Sequence, residues 1–570
     1  MDQRVLVVVI FGCPLTTCRP FCTCLSSRRT GAGTGLTTCN AYDMSTSSSS
    51  LAVTIILLVF LLALVWLLRL GKRESYLPPG PQTLPLLGNI HVLPTRYPHN
   101  KFTEWARQYG GIYSLKIGTG TIIVLSNMTT VKELLDKRAA ATASRPPNYV
   151  VDMITKGLNF ALIPNNNLWR TQRKLVNTIL APNVVPSYLP IQYAETSQVL
   201  YDILNSPQDL CDHLSRYAFS LTTSILYGKR CPRPRSSEIT AFYDFEFVWT
   251  KLLSPGTVPP VDKLPFLEYI PERWASWKAL IREVKERHRK LYFGLLDDCE
   301  DRMKSDVGGN GSFMEDLLSR KEEYGMDREK IGYLGAVMIE AGAETTSSLL
   351  KSLVLFLVAS PEAQRKAYEE VQRVVGSQRV PDLADFEHLP YVDAILKEVQ
   401  RLRPIAPVGL PHETTTTEEV TVSGYIIPEN TTVFANVYGI NTDPDFFEDP
   451  ETFRPERYLL TEHGTKPGVD DSAFRSDIGF GFGRRICPGM HLAKNSLALN
   501  AMSLIWAFEF KPLQDPETGK DIPVDLLDYE EGLIFSPKPY QCRVMPRSSN
   551  VVDIIQHQFR EARETFVKYE

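Results

Sequence analysis

Neither sign of charge is in excess in this sequence: 62 lysines and arginines face 66 aspartates and glutamates, a formal net charge of −4. That balance excludes the broad basic surface by which a chain binds nucleic acid. A disulfide framework is also missing. Five of the ten cysteines (Cys13, Cys18, Cys22, Cys24, Cys39) crowd the first 43 residues with no disulfide or zinc spacing. The other five, Cys211, Cys231, Cys299, Cys487 and Cys542, are scattered, as suits a reducing compartment. With no internal repeat, solenoids and propellers are excluded as well. What remains is an ordinary globular composition, 43% hydrophobic and 22% charged, preceded by one long run without charge.

That run is residues 51–68, LAVTIILLVFLLALVWLL, eighteen residues long, about the minimum that crosses a hydrocarbon core as a helix. Residues 51–70 are therefore predicted to be a transmembrane anchor. Arg69, Lys72 and Arg73 follow at once, which by the positive-inside rule puts the bulk of the chain on the cytosolic side. Residues 1–50 make an N-terminal tail. Its apolar stretch 5–11 is similar to a signal-peptide core, but Asp2 opposes a charged start and no Ala-x-Ala site follows. Met44 before a Ser-rich tract has the form of a natural start, so the first 43 residues read as a gene-model extension or a disordered lumenal tail. A basic, proline-rich hinge (71–89) leads into one large folded unit (90–547), and a polar helical extension without an assigned role (548–570) closes the chain.

The chemistry centres on Phe480-Gly481-Phe482-Gly483-Arg484-Arg485-Ile486-Cys487-Pro488-Gly489. Three glycines let a backbone turn sharply and approach a flat ligand, and two arginines ahead of Cys487 are expected to favour thiolate over thiol. An amphipathic helical pattern follows, from about Met490 to Phe508. A nucleotide loop would need an apolar parallel strand before it and Lys-Ser/Thr after it, and neither is there. A thiolate presented to a metal cofactor is left.

Phe480, Gly483, Arg485, Cys487 and Gly489 resemble the heme-binding signature of the cytochrome P-450 family, Phe-x-x-Gly-x-Arg-x-Cys-x-Gly, whose cysteine is the axial iron ligand. Other segments agree in order. Trp169 and Arg173, one helical turn apart, resemble the family's Trp-x-x-x-Arg, which holds a heme propionate; alone they would read as a surface helix. From Asp327 to about Ala359 runs a long, mostly apolar helical pattern with Gly342 and Glu344 in its middle, where glycine costs roughly 1 kcal/mol against alanine and a buried acid costs more. This segment resembles Ala/Gly-Gly-x-Asp/Glu-Thr-Thr, so Glu344 and Thr345 would help deliver protons to bound oxygen. Glu398, Arg401 and Arg457 resemble the family's structural Glu-Arg-Arg triad, although Glu398 and Arg401 by themselves are an everyday helix pair. His412, after a proline-broken apolar turn, is implied to reach a propionate.

Between these motifs, residues 112–117 and 121–125 read as a hairpin, 420–422 and 432–436 as further strands, 272–298 as a solvated surface helix, and 305–312 as a loop. Residues 531–535 resemble the loop that dips back to the substrate. The resemblance implies a mainly α fold with a small β domain behind a single N-terminal transmembrane helix, and heme b (iron protoporphyrin IX, axial thiolate from Cys487). No Cys-x-x-Cys-His is present, so the heme would not be covalently attached. It implies a monooxygenase of the endoplasmic reticulum membrane using O2, a small lipophilic substrate and an NADPH-cytochrome P-450 reductase docking near Arg170, Lys174 and Arg484. The style of residues 256–277 and 411–425 is similar to fungal microsomal members of secondary metabolism acting on aromatic or polyketide-derived compounds. Two other readings stand beside it: a thiolate-heme isomerase or dehydratase, which needs no reductase, and a membrane-anchored binding module built on the Cys-rich N-terminus.

Overall fold

The computed structural model describes residues 45–253, 257–262, 264–305, 308–416 and 420–570. The cysteine-rich tail and Met44 lie outside the described residues, as do parts of the proline-rich break at 255–260 and of the loop at 305–312.

Helix α1, Ser45–Arg69, is described by itself, because the chain divides into compact units between Ala63 and Leu64. Its leucines, valines and isoleucines are exposed on every face. Such a helix has no stripe to bury against a protein core and suits a hydrocarbon solvent instead; Leu51–Arg69 is long and apolar enough to cross a membrane.

In the second unit the hinge prolines bring carbonyls without matching donors, and Arg73 supplies the donors. Its guanidinium donates to the carbonyls of Gly80 (2.9 Å) and Pro81 (2.8 Å) and to Ser114 Oγ (2.8 Å), which in turn donates to the Pro78 carbonyl (2.6 Å). Ser114 belongs to β1 (Ile112–Ile117), which forms an antiparallel hairpin with β2 (Gly120–Leu125). Then come β3 (His412–Glu413), the hairpin of β4 (Val420–Val422) and β5 (Tyr425–Ile427), and β6 (Thr432–Ala435). The main sheet has the order β1-β2-β6-β3. In it β2 runs parallel to β6, with Ile122 opposite Thr432, and His412 of β3 lies opposite Val433.

The helices that position the site are α2 (Asn167–Leu180), α3 (Leu189–Asn205), α4 (Leu210–Tyr227), α5 (Ser237–Leu252), α6 (Ser276–Lys304), α7 (Arg328–Ala359), α8 (Pro390–Leu402), α9 (Met490–Ala507) and α10 (Ser549–Phe566). The axis of the body is α7. The Asp327 side chain caps its start by accepting from the Lys330 amide (2.9 Å), and its apolar residues pack against α4, α6, α8 and α9. Gly342 has a packing reason as well: a Cβ there would stand 2.8 Å from Thr222 Oγ1 on α4, so a small residue permits the close approach of the two helices.

Two features differ from the sequence reading. Helix α9 is not amphipathic, because Ser496 to Ala507 are buried on all sides within the helical core. Helix α6 is not a wholly solvated surface helix. Its charged residues face outward, while Ile281, Val284, His288, Tyr292, Leu295, Leu296 and Cys299 are buried. The C-terminal extension folds as α10 against α3, stacking Phe559 on Tyr201 at 4.1 Å and laying Phe566 under the Arg230 guanidinium at 3.4 Å.

Candidate active site

The Cys487 loop is pinned from three directions. The Cys487 amide donates to the Phe480 carbonyl (2.8 Å), the Gly483 amide to Asp136 Oδ1 (2.9 Å), and Arg475 to the Gly481 carbonyl. Gly483 sits at φ +54°, and a Cβ there would collide with the Leu135 carbonyl, so only glycine fits. Beside the sulfur, Gly489 leaves the space of a side chain open, since a Cβ would sit 3.9 Å from Cys487 Sγ. Phe480 is half-buried, with Lys494 Nζ 5.9 Å from its ring.

The expectation that the two preceding arginines favour the thiolate is not met. Burial pushes the Cys487 thiol up, opposed first by the Gly489 amide and then by Arg173, the one cation that acts on it among the described residues. Arg484 is exposed, and Arg485 turns away to lie over the Trp169 ring at 4.0 Å. Deprotonation of this sulfur therefore calls for a bound metal, which removes a coordinating thiol's proton outright.

On α2, Asn166 caps the helix by accepting from the Trp169 amide (2.9 Å), and Trp169 and Arg173 then share the inward face. Arg485 Nε donates to the Ala143 carbonyl (2.6 Å) and one Nη to that of Ile163 (2.7 Å), but its Nη1 is buried without a partner among the described residues. Sequence reasoning missed a third arginine, Arg145. It is buried and donates to the carbonyls of Ala161, Leu410 and Pro411. Its only local signal is a basic residue before two prolines.

None of Arg145, Arg173 and Arg485 is offset by a carboxylate among the described residues. Burial pushes Arg145 down to about 9, and burial with Arg145 and Arg173 beside it pushes Arg485 down to about 8. A guanidinium does not give up its proton readily, so such a cluster calls for buried anions. A flat ligand that binds a sulfur at its centre and carries carboxylates at its edge meets that demand. Heme fits these residues.

His412 is buried on β3 with Nδ1 2.8 Å from the Thr142 carbonyl. Burial, with Arg145 and Arg485 as neighbouring cations, pushes it down to about 3 from 6.5. The ligand-free folded state therefore binds fewer protons than the unfolded chain within that window, and stability present above pH 6.5 is lost as pH falls through it. The loss is at most about 1.4 kcal/mol per pH unit. Urea titrations of heme-stripped protein should show a shallower acid-side slope for His412→Gln; equal slopes would remove this imidazole from the account.

On α7, Thr345 Oγ1 donates to the Ala341 carbonyl (2.6 Å), and Glu344 Oε1 accepts from Ser348 Oγ (3.1 Å). Burial pushes Glu344 up, Lys351 opposing and Glu530 adding to it. Glu398 on α8 is fully buried. It takes Arg401 in a two-point pair at 2.7 and 2.8 Å and Arg457 Nε at 3.1 Å. Arg170, Lys174 and Arg484 are all exposed.

The family model "Cytochrome P450" matches residues 78–544. A cytochrome P450 monooxygenase of Armillaria gallica is 44% identical over 92% of this chain and 99% of its own length. The Aspergillus terreus monooxygenase atE is 36% identical over 92% of this chain and 98% of its own. A zebra fish cytochrome P450 solved with progesterone superposes with a TM-score of 0.62, covering 79% of this chain and 99% of that one, at 24% identity, a likeness of fold. The fold, the thiol loop and these relatives lead to one assignment: the chain belongs to the cytochrome P-450 family of heme-thiolate oxidoreductases.

Proposed function

We propose that this protein inserts one oxygen atom from O2 into a small lipophilic substrate, aromatic or polyketide-derived, on heme b held by Cys487. The electrons come from a membrane-bound NADPH-cytochrome P-450 reductase. The observation that carries the reading is the pair of buried arginines, Arg145 and Arg485, beside the half-buried Arg173 and Cys487, with none of the three guanidinium groups offset by a carboxylate among the described residues. Bound there, heme supplies the dioxygen activation that side chains cannot perform.

The chain's own residues bind, orient and deliver protons. Arg145, Arg173 and Arg485 would hold the propionates by charge-assisted hydrogen bonds, with Trp169 stacked against Arg485 and His412 beside them. Glu344, whose carboxyl burial pushes up from its ordinary value, can serve as a general acid. Ser348 orients that carboxyl, and Thr345 places a hydroxyl one residue on. Helix α1 anchors the protein in the endoplasmic reticulum membrane with the body cytosolic, where the exposed Arg170, Lys174 and Arg484 offer the reductase a basic face.

The test is the reduced, carbon-monoxide-bound absorption spectrum of the protein beside Cys487→Ala. A strongly red-shifted Soret band that vanishes in the variant is expected. No heme band in folded protein would end the catalytic reading, and product formed without reductase would favour an isomerase.

A further inference from the structure

A second buried polar cluster lies between α5, α6 and α7. Glu246 on α5 is 4% exposed, His288 on α6 is 1% exposed, and Glu340 on α7 is 9% exposed. His288 Nε2 stands 3.2 Å from Glu340 Oε1, without the alignment of a hydrogen bond. Glu246 Oε2, both nitrogens of His288, Glu340 Oε1 and the hydroxyls of Tyr292 and Tyr227 are buried and have no hydrogen-bond partner among the described residues. No lysine or arginine offsets Glu246, which feels the charges of Glu340 and Glu344. Glu340 and Glu344 are one turn apart on α7 and so share a face.

Glu246 feels the charges of two further carboxyls and has no cation of its own, so ionising all three is opposed and the least compensated of them holds its proton longest. Burial first, then Glu340 and Glu344, push Glu246 well above the carboxylate range, which makes it the one that does. The other titratable groups facing it are Tyr243 of α5 and Tyr292 of α6; Tyr227 of α4 faces Glu340, and Lys351 and Glu530 act on Glu344. A group of buried, unpaired donors and acceptors leading from His288 to Glu344 is what a chain of bound water recognises.

We propose that Glu246, with His288 and Glu340, is a buried proton store that recharges Glu344 through bound water. The inference rests on the reading of Glu344 as proton donor. In the step, the O–H bond of the Glu246 carboxylic acid breaks and an O–H bond forms on the Glu344 carboxylate. Glu246 then regains a proton from solvent, an O–H bond of the bound water lined by His288 and Glu340 breaking as the carboxyl O–H re-forms. Glu246 is a positioning residue, since it acts through Glu344.

The experiment uses full-chain heme protein in detergent, with Glu246→Gln and Glu344→Gln in parallel; glutamine keeps the shape of the protonated acid. The infrared difference between wild type and Glu246→Gln at neutral pH should contain the carbonyl stretch of a protonated carboxylic acid, shifted in D2O. A carboxylate band in its place overturns the proposal. NADPH oxidation by the reductase-reconstituted protein, with no substrate added, is expected to fall on the order of tenfold in Glu246→Gln, less than the ~10²-fold of a direct proton donor. Its solvent deuterium isotope effect should enlarge, and Glu246→Asp should restore part of the rate. An unchanged Glu246→Gln beside a slowed Glu344→Gln overturns the store and leaves the role of Glu344 standing. Unchanged rates in both variants overturn the two together.

Discussion

Glu398→Ala is expected to destabilise the protein by about 3–5 kcal/mol, because it strands two buried guanidinium groups. Arg401 and Arg457 are each at most 3% exposed, and Glu398 is their one carboxylate partner among the described residues. The same carboxylate accepts the Arg454 amide (2.9 Å), while Arg401 also donates to the carbonyls of Asn441 (2.8 Å) and Pro450 (2.7 Å) and Arg457 to that of Glu448 (3.0 Å). One side chain on α8 thereby ties down the segment 441–457. Urea denaturation should register the loss, and a change below about 1 kcal/mol would show that the triad is not structural. An exposed control, Arg365→Ala, removes pairs to Glu362 and Glu369 and should leave the denaturation midpoint close to that of wild type.

The second large effect is on cofactor retention. Arg485→Ala removes the Nη1 donor that has no protein partner and the cation stacked over Trp169, while the loop and Cys487 keep their own ties. A hydrogen bond to a charged group contributes about 1.5–3 kcal/mol, so heme affinity should fall roughly 10- to 100-fold. Transfer of heme to excess apomyoglobin measures this without any substrate, and the Soret position of the heme that stays should not move. Transfer as slow as from wild type would show that no propionate meets Arg485. Lysine should not restore retention, because an ammonium lacks the planar fork that reaches the Ala143 and Ile163 carbonyls while leaving Nη1 free.

How much was legible in the sequence depended on distance along the chain. The Cys487 loop, the Trp169–Arg173 turn and the long α7 helix are local patterns whose spacing could be read directly. Arg145 could not be found that way. Nothing around it separates a buried arginine from a surface one, and only its meeting with Arg173 and Arg485 makes it distinctive. His288 was hidden similarly. It lies among lysines, arginines and glutamates that give α6 the look of a solvated helix, yet its own face turns to Phe245, Trp249 and Tyr333. The protonation of Cys487 departs from the sequence expectation because the arginines adjacent to it in the chain are not the cation that acts on its sulfur in space. Gly342 carried a real signal, a glycine in mid-helix, but its contact with Thr222 could be known only once α4 was placed.

The parallel pairing of β2 with β6 has a consequence in time. Ile122 and Thr432 meet across about 300 residues of chain, and the cost of closing such a loop must be met before the pairing returns anything. β3, which carries His412, joins the sheet through β6 and makes one further bridge from Glu413 to Ser144, so its place in the sheet waits on that closure. Local helices and the β1–β2 hairpin are expected to form early, with the cationic rim assembling among the last steps. Until then a newly made chain holds its arginines and its cysteine apart. Cofactor supply should therefore act late in maturation, capturing a body that is already nearly complete.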